Sequence, residues 1–292
     1  VPSGTDSSPW RDATGDARAP SRRVTRHWCS LSERLASSMT KVAFVTGGSS
    51  GFGRGFALGL AREGYRVAVV ARRRASLDDV ADEIRAGGGS ALVCCCDVTD
   101  PDQVREAIAR TEAEFGPVDL LIANAGASAM TRPEQLDASD VVALMSVNFF
   151  GVLYAVEGVL PSMLERGRGH IVAIGSLAGY GGLPLTAAYS ASKGALHNFM
   201  ESLRVDLRRT GVDVTMITPG YVHSEFTAKN KHSMPLVVEL DDAVARMLRA
   251  IHARKRHYMF PWQLATLVWM GQVFPSAVYD WVVSRHRRDK HE

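Results

Sequence analysis

From residue 41 onward the chain alternates between two spacings of apolar residues. Short β-branched runs are separated by stretches in which apolar positions recur every three to four residues. The runs Lys41–Thr46 (KVAFVT), Arg66–Ala71 (RVAVVA), Ala91–Cys95, Asp119–Ile122, His170–Gly175 and Val212–Thr218 predict strands. Helices are predicted over Phe52–Glu63, Ser76–Ala86 with Ser76 as N-cap, and Pro101–Phe115 with proline in its first turn. Three more are predicted over roughly Ala138–Leu164, Ala187–Thr210 and Asp241–Arg254. Strands this apolar, separated by about a dozen residues or more, pair in parallel through helical crossovers. The expected architecture is a single α/β domain, a doubly wound parallel sheet of about seven strands with helices on both faces. Ligands are then expected at the carboxyl ends of the strands.

The two ends of the chain read differently. Residues 1–38 are rich in Ser, Arg, Asp, Ala, Gly and Pro without sustained hydrophobic period, and are expected to be disordered. They contain no apolar core of a secretory signal, and Asp6, Asp12 and Asp16 argue against a transit peptide. Met39, two residues before the first strand, is expected to be the translation start; peptides from residues 1–38 in the native protein would refute that. Pro261–Val283 carries Trp262, Trp269 and Trp281 and is followed by Arg285-His286-Arg287-Arg288. This segment, 261–292, is expected to be a helical extension of the 39–260 catalytic domain. Packing on the chain's own core, capping a pocket, joining a dimer, or weak contact with a membrane surface all suit it.

Composition narrows the function classes. With 46% hydrophobic and 22% charged residues and a mean hydropathy of −0.04, the chain has an ordinary globular balance. A formal charge of +3 over 292 residues gives no reason to expect a nucleic-acid partner. No apolar run of 18 residues is apparent, so no membrane span is expected. Cys94, Cys95 and Cys96 are consecutive, and neighbouring strand residues point to opposite faces. They read as small strand residues in a reducing, cytoplasmic setting rather than a disulfide or zinc site. The nine histidines show no metal-ligand spacing, so no metal is expected.

Thr46-Gly47-Gly48-Ser49-Ser50-Gly51-Phe52-Gly53 joins the first predicted strand to the first predicted helix. Glycines there let the backbone turn sharply and approach a pyrophosphate, and the N–H groups of the helix start face the anion. The spacing resembles the TGxxxGxG cofactor loop of the short-chain dehydrogenase/reductase family, and further motifs of that family follow in order over about residues 41–260. The resemblance implies a Rossmann-type fold, a nicotinamide cofactor, and contacts from Gly47, Ser49, Ser50, Gly51, Phe52 and Gly53. Asp97 resembles the family's adenine-contacting Asp, with Val98 beside it. Asn124-Ala125-Gly126 matches its NAG motif, which steadies the sheet and flanks the adenine ribose. Pro219-Gly220-Tyr221-Val222-His223-Ser224 resembles the PG motif near the nicotinamide, Pro219, Gly220, Val222 and Ser224 being the cofactor contacts. The second strand ends Ala71-Arg72-Arg73-Arg74 with no carboxylate before Asp78. A guanidinium at Arg72 suits a 2′-phosphate, so NADP is expected over NAD.

Tyr189 and Lys193, four apart on a predicted helix, share one face. A free phenol has a pKa of about 10, and a neighbouring ammonium lowers it toward a value at which protons exchange readily. Both residues are also expected at the cofactor. Ser176 ends the fifth predicted strand thirteen residues before Tyr189, as in the family pattern, and its hydroxyl can bind a substrate oxygen. Asn148 matches the family's fourth catalytic residue, which bends its helix and holds a water on the proton route to the lysine. The resemblance thus implies carbonyl–alcohol interconversion, and a homodimer or homotetramer formed through the two helices beside the site.

The substrate loop is expected over Tyr221–Leu240, with Leu177, Tyr180, Leu183 and Met130 on a pocket wall. Those residues suit a small lipophilic carbonyl or alcohol, the resemblance leaving a peripheral-membrane lipid reductase of the ketosphinganine or hydroxysteroid type as the alternative. Two rival classes are less well matched. A regulatory protein on this fold would lack part of the Ser–Tyr–Lys set, and a nucleotide-sugar epimerase or dehydratase would carry a TGxxGxxG loop.

Overall fold

The computed structural model describes residues 40–227 and 234–288. The expectations for residues 1–38 therefore lie outside the described part. Seven strands form one parallel sheet: β1 (Val42–Thr46), β2 (Arg66–Ala71), β3 (Ser90–Cys95), β4 (Leu120–Ala123), β5 (Gly169–Ile174), β6 (Val212–Pro219) and β7 (His257–Phe260). Their order is β3-β2-β1-β4-β5-β6-β7. The order reverses between β1 and β4, which opens a crevice at the carboxyl ends of both.

Alternation along the strands divides the core into two layers. Val42 and Phe44 face the layer with α3 (Pro101–Phe115), α5 (Gly151–Glu165) and α6 (Ala187–Asp206). Ala43 and Val45 face α1 (Gly51–Arg62), α2 (Arg74–Ala86) and α7 (Leu240–His252). Every β1 residue is buried, as expected for a central strand covered on both sides.

Several elements differ from the sequence reading. The four residues of β7 were not predicted, because they lie between a basic turn and a proline without visible alternation. Helix α2 starts at Arg74 with Arg73 as its N-cap, so Ser76 is inside the helix rather than its cap. α6 stops at Asp206, four residues before its predicted end, in the turn that leads to Gly211. The predicted long helix is α4 (Ala138–Met145) and α5 joined through a π-helical turn, Ser146–Phe150.

Contrary to the sequence reading, the continuous 28-residue helix Ala138–Glu165 is long and apolar enough to cross a bilayer, with mean hydropathy 1.7 over its most apolar window. Its Val152, Val156, Val159 and Met163 are buried in the core beside the sheet, which gives that face its cover. In β3, Cys94 is buried and Cys95 exposed, with Cys96 buried just beyond; all three are free thiols. Beyond β7 the chain forms α8 (Trp262–Gly271) and α9 (Ser276–Arg288).

Candidate active site

The glycine loop leaves β1 and enters α1 directly. Gly47 has φ +66°, and a Cβ on it would lie 2.8 Å from Asn124 Nδ2. A Cβ on Gly53 would lie 2.0 Å from the Gly47 carbonyl oxygen, so the first helical turn rests on the loop. At Gly51, φ is +52° and the space a Cβ would occupy is open. Ser50 is the N-cap of α1 yet makes no capping bond through its side chain. The first-turn N–H groups are therefore not taken by that side chain, and with the open cradle they fit a pyrophosphate.

Thr46 and Arg73 are two residues that the sequence reading passed over. Thr46 Oγ1 accepts from the backbone N–H groups of Asn124 and Ala125, both at 3.0 Å, and Asn124 Nδ2 donates to the Thr46 carbonyl at 3.0 Å. The Asn124-Ala125-Gly126 turn is thus fastened to the mouth of β1. Arg73 donates to Ser50 Oγ at 3.1 Å and Ser49 Oγ at 3.3 Å, while Arg72 lies 3.7 Å from an Asp97 oxygen. Arg74 is held by Asp78 on α2. The signal for Arg73 was present in the Arg72-Arg73-Arg74 run, but strand alternation alone does not say which guanidinium turns toward the loop. Asp97 accepts from Thr99, and the Val98 side chain is buried against Gly151.

Asn148 sits in the π turn, fully buried. Its Oδ1 accepts from Ala127 N at 2.8 Å, and its Nδ2 donates to Ala127 O and Ser192 Oγ, both at 2.9 Å. Ser192 Oγ donates in turn to the Tyr189 carbonyl at 2.8 Å. Ser192, also unpredicted, therefore latches the Asn148 helix to the turn of α6 that carries Tyr189 and Lys193. Asn148 thus sits where the helix widens into a π turn. A Cβ on Gly126 would lie 3.2 Å from Asn148 Oδ1 and 3.6 Å from Lys193 Nζ, so glycine keeps the space between them open.

Lys193 Nζ donates to the Ile174 carbonyl at 2.9 Å, and burial lowers its pKa to about 8. Burial raises the Tyr189 pKa above its ordinary value, and a hydrogen bond with Ser176 draws it back. The expected lowering of Tyr189 is thus reversed here, because removing the phenolate from water costs more than the Ser176 hydrogen bond returns. Ser176 Oγ also accepts from Ala178 N at 3.2 Å, which fixes the hydroxyl at the end of β5.

At the end of β6, Gly220 donates to Phe260 O at 2.7 Å, with Leu177, Pro261 and Leu264 packed where its Cβ would be. Val222 is buried and bridges to Val238; Ser224 N donates to Thr227 Oγ1 at 3.1 Å. Part of the expected substrate loop, residues 228–233, lies outside the described residues. Phe226, unpredicted, stands with its ring centroid 6.2 Å from that of Tyr189. The Tyr180 hydroxyl meets His257 Nε2 at 2.9 Å and its ring lies 4.5 Å from that of His197. Thr131 N donates to Leu185 O at 2.8 Å and Thr131 Oγ1 accepts from Ala188 N, tying together the loops on either side of Tyr189.

Two buried histidines bear on stability. Burial lowers His170, on β5, and His197, on α6, to pKa values of about 4. The unfolded chain therefore binds more protons than the native one between about pH 4 and 6.5, so stability is fully present above 6.5 and falls as pH drops through that window. Each histidine accounts for up to about 3 kcal/mol. Urea unfolding at pH 7 and pH 5 should show a clear loss at the lower pH, and His170→Gln should flatten the slope. Equal stability at both values would refute the assignment.

The short chain dehydrogenase family matches residues 41–235. An uncharacterized oxidoreductase of Myxococcus xanthus is 45% identical over 253 residues, covering 87% of this chain and all of that protein. A Burkholderia phymatum short chain dehydrogenase/reductase solved with NAD superposes with a TM-score of 0.73 at 26% identity, over 78% of this chain and 92% of that one. An actinorhodin polyketide ketoreductase variant solved with NADPH gives 0.69 at 30% identity, over 76% and 95%. The chain belongs to the short chain dehydrogenase family of NAD(P)-binding oxidoreductases.

Proposed function

We propose that this oxidoreductase interconverts a carbonyl and a secondary alcohol on a small lipophilic molecule, with Tyr189 as the proton donor and acceptor and NADP(H) as the preferred cofactor. The observation that carries this reading is the hydrogen bond between the half-buried Tyr189 and Ser176, one helical turn from the buried Lys193. The bound nicotinamide supplies or accepts hydride; the remaining roles belong to the chain. Ser176 binds the substrate oxygen. Tyr189, whose phenolate is disfavoured by burial, gives that oxygen a proton during reduction and takes one back during oxidation. Lys193 and the open space at Gly126 provide the route by which that proton is replaced, and Asn148 with Ser192 fixes the helix that aligns them. Phe226, beside Tyr189, and Leu177 give the substrate an apolar surface at the rim and floor of the cleft. NADPH consumption against a panel of apolar ketones and aldehydes tests the activity, and inertness toward the whole panel would reject it.

For the cofactor, Arg72 and Arg73 both support a 2′-phosphate, Arg73 directly above Ser49 and Ser50. Replacing both with Ala is expected to raise the KM for NADPH on the order of tenfold or more while leaving that for NADH within about twofold, since charge-assisted pairs of this kind are the stronger hydrogen bonds. Steady-state kinetics with each cofactor decides it. Equal weakening toward both would mean that the arginines support the loop rather than read the phosphate.

A further inference from the structure

We propose that the α8–α9 hairpin is a docking surface for an anionic lipid bilayer, presenting the mouth of the active-site cleft to the membrane. The proposal rests on the lipophilic-substrate reading above. Helix α8, WQLATLVWMG, has no charged residue, and none of its ten residues is fully buried. Leu264, Ala265 and Val268 are half-buried on one side of it, while the side with Trp262 and Trp269 is left uncovered by the described residues. Trp262 and Trp269, seven residues apart on α8, are 71% and 66% exposed, and Val273 in the turn after it is 69% exposed. Thr266, on the same stripe, turns its hydroxyl back to the Trp262 carbonyl at 2.9 Å, so its proton does not need water. Phe274 extends the patch in the turn before α9.

This apolar face does not belong to a loose tail. Tyr279 Oη donates to Gly182 O at 2.9 Å, Gln272 Nε2 donates to Tyr180 O, and Leu264 packs against Gly220. These contacts fix the inner side of the hairpin to the loop that follows Ser176. The tryptophans are thereby held outward beside the cleft, whose own rim exposes Met130 and Phe226.

Charge selects the occupant. Between Pro261 and Ser284 the sequence has one charged residue, Asp280, and then runs into Arg285-His286-Arg287-Arg288. Exposed tryptophans adjoining a cationic run suit the headgroup zone of an anionic leaflet. A second copy would bring its acidic residues Asp280, Asp289 and Glu292 together with its own cations, whereas an anionic leaflet offers negative charge alone.

Flotation of the full chain with phosphatidylcholine vesicles containing 30% phosphatidylserine tests this. The wild type should float with these vesicles and not with pure phosphatidylcholine ones, and 0.5 M NaCl should weaken it. Trp269→Ser/Phe274→Ser should lower vesicle binding about tenfold or more, given the apolar area lost. Its melting temperature and its NADPH-dependent turnover of a water-soluble ketone should stay unchanged. Wild type that fails to float, or a double variant that floats equally, would overturn the proposal. So would a wild-type dimer that dissociates in the double variant without either binding vesicles, which would make a second copy the occupant. Failure of the reductase reading would appear instead as no turnover of any carbonyl, with or without vesicles.

Discussion

Tyr189→Phe should abolish turnover, with kcat lowered by on the order of 10³-fold or more, while NADPH binding changes by less than about twofold. The substitution removes one oxygen from a half-buried position and leaves the ring beside Phe226 in place. What disappears is the proton delivered to the substrate oxygen, and with it the partner of Ser176. Folding should be unaffected, because the latch to α6 runs from Asn148 through Ser192 to the backbone of residue 189, not to its phenol. Stopped-flow hydride transfer and a fluorescence titration of NADPH separate these effects. Retained turnover would dismiss Tyr189 as the proton donor; lost binding would mean that the phenol holds the cofactor instead.

Gly53→Ala should cost about 1–3 kcal/mol of stability and at least about tenfold in cofactor affinity, because the new Cβ overpacks a site with no room to relax. Its position is 2.0 Å from the Gly47 carbonyl oxygen and 2.7 Å from Asn124 Nδ2, so backbone must move at the loop and at the Asn124 turn together. Gly51→Ala is the contrasting case. No atom stands in the way there, and the cost is the left-handed φ, of about 1 kcal/mol. Urea unfolding and NADPH titration of the two variants should therefore rank them Gly53 worst. Equal behaviour would mean that the loop gives way more easily than its contacts imply.

The fold was largely legible because a parallel sheet covered on both faces forces uninterrupted apolar strands and helical crossovers. β7 escaped since four residues at a sheet edge need bury only one strong anchor, Phe260. The spacing of Ser176, Tyr189 and Lys193 was readable because strand ends and helical turns convert sequence distance into position. Thr46, Arg73 and Ser192 were not, because each acts through a hydrogen bond whose partner is set by tertiary geometry. Phe226 was hidden for the same reason, on a loop with no periodicity. The direction of the Tyr189 shift was also beyond the sequence, which records a neighbouring lysine and no depth of burial.

The π turn at Ser146–Phe150 has a consequence for chain length. Leu144, Asn148 and Val152 are buried at intervals of four residues across it. In a regular helix each such step advances about 40° beyond a full turn, so the three would drift by about 80° around the axis. The widened turn absorbs that drift and keeps all three pointing inward. Losing any one residue between Leu144 and Val152 would shorten a spacing to three and rotate α4 against α5. Asn148 would leave Ala127 and Ser192 even though every side chain of the site was still encoded. The segment can thus accept changes of identity far more readily than a change in the number of its residues.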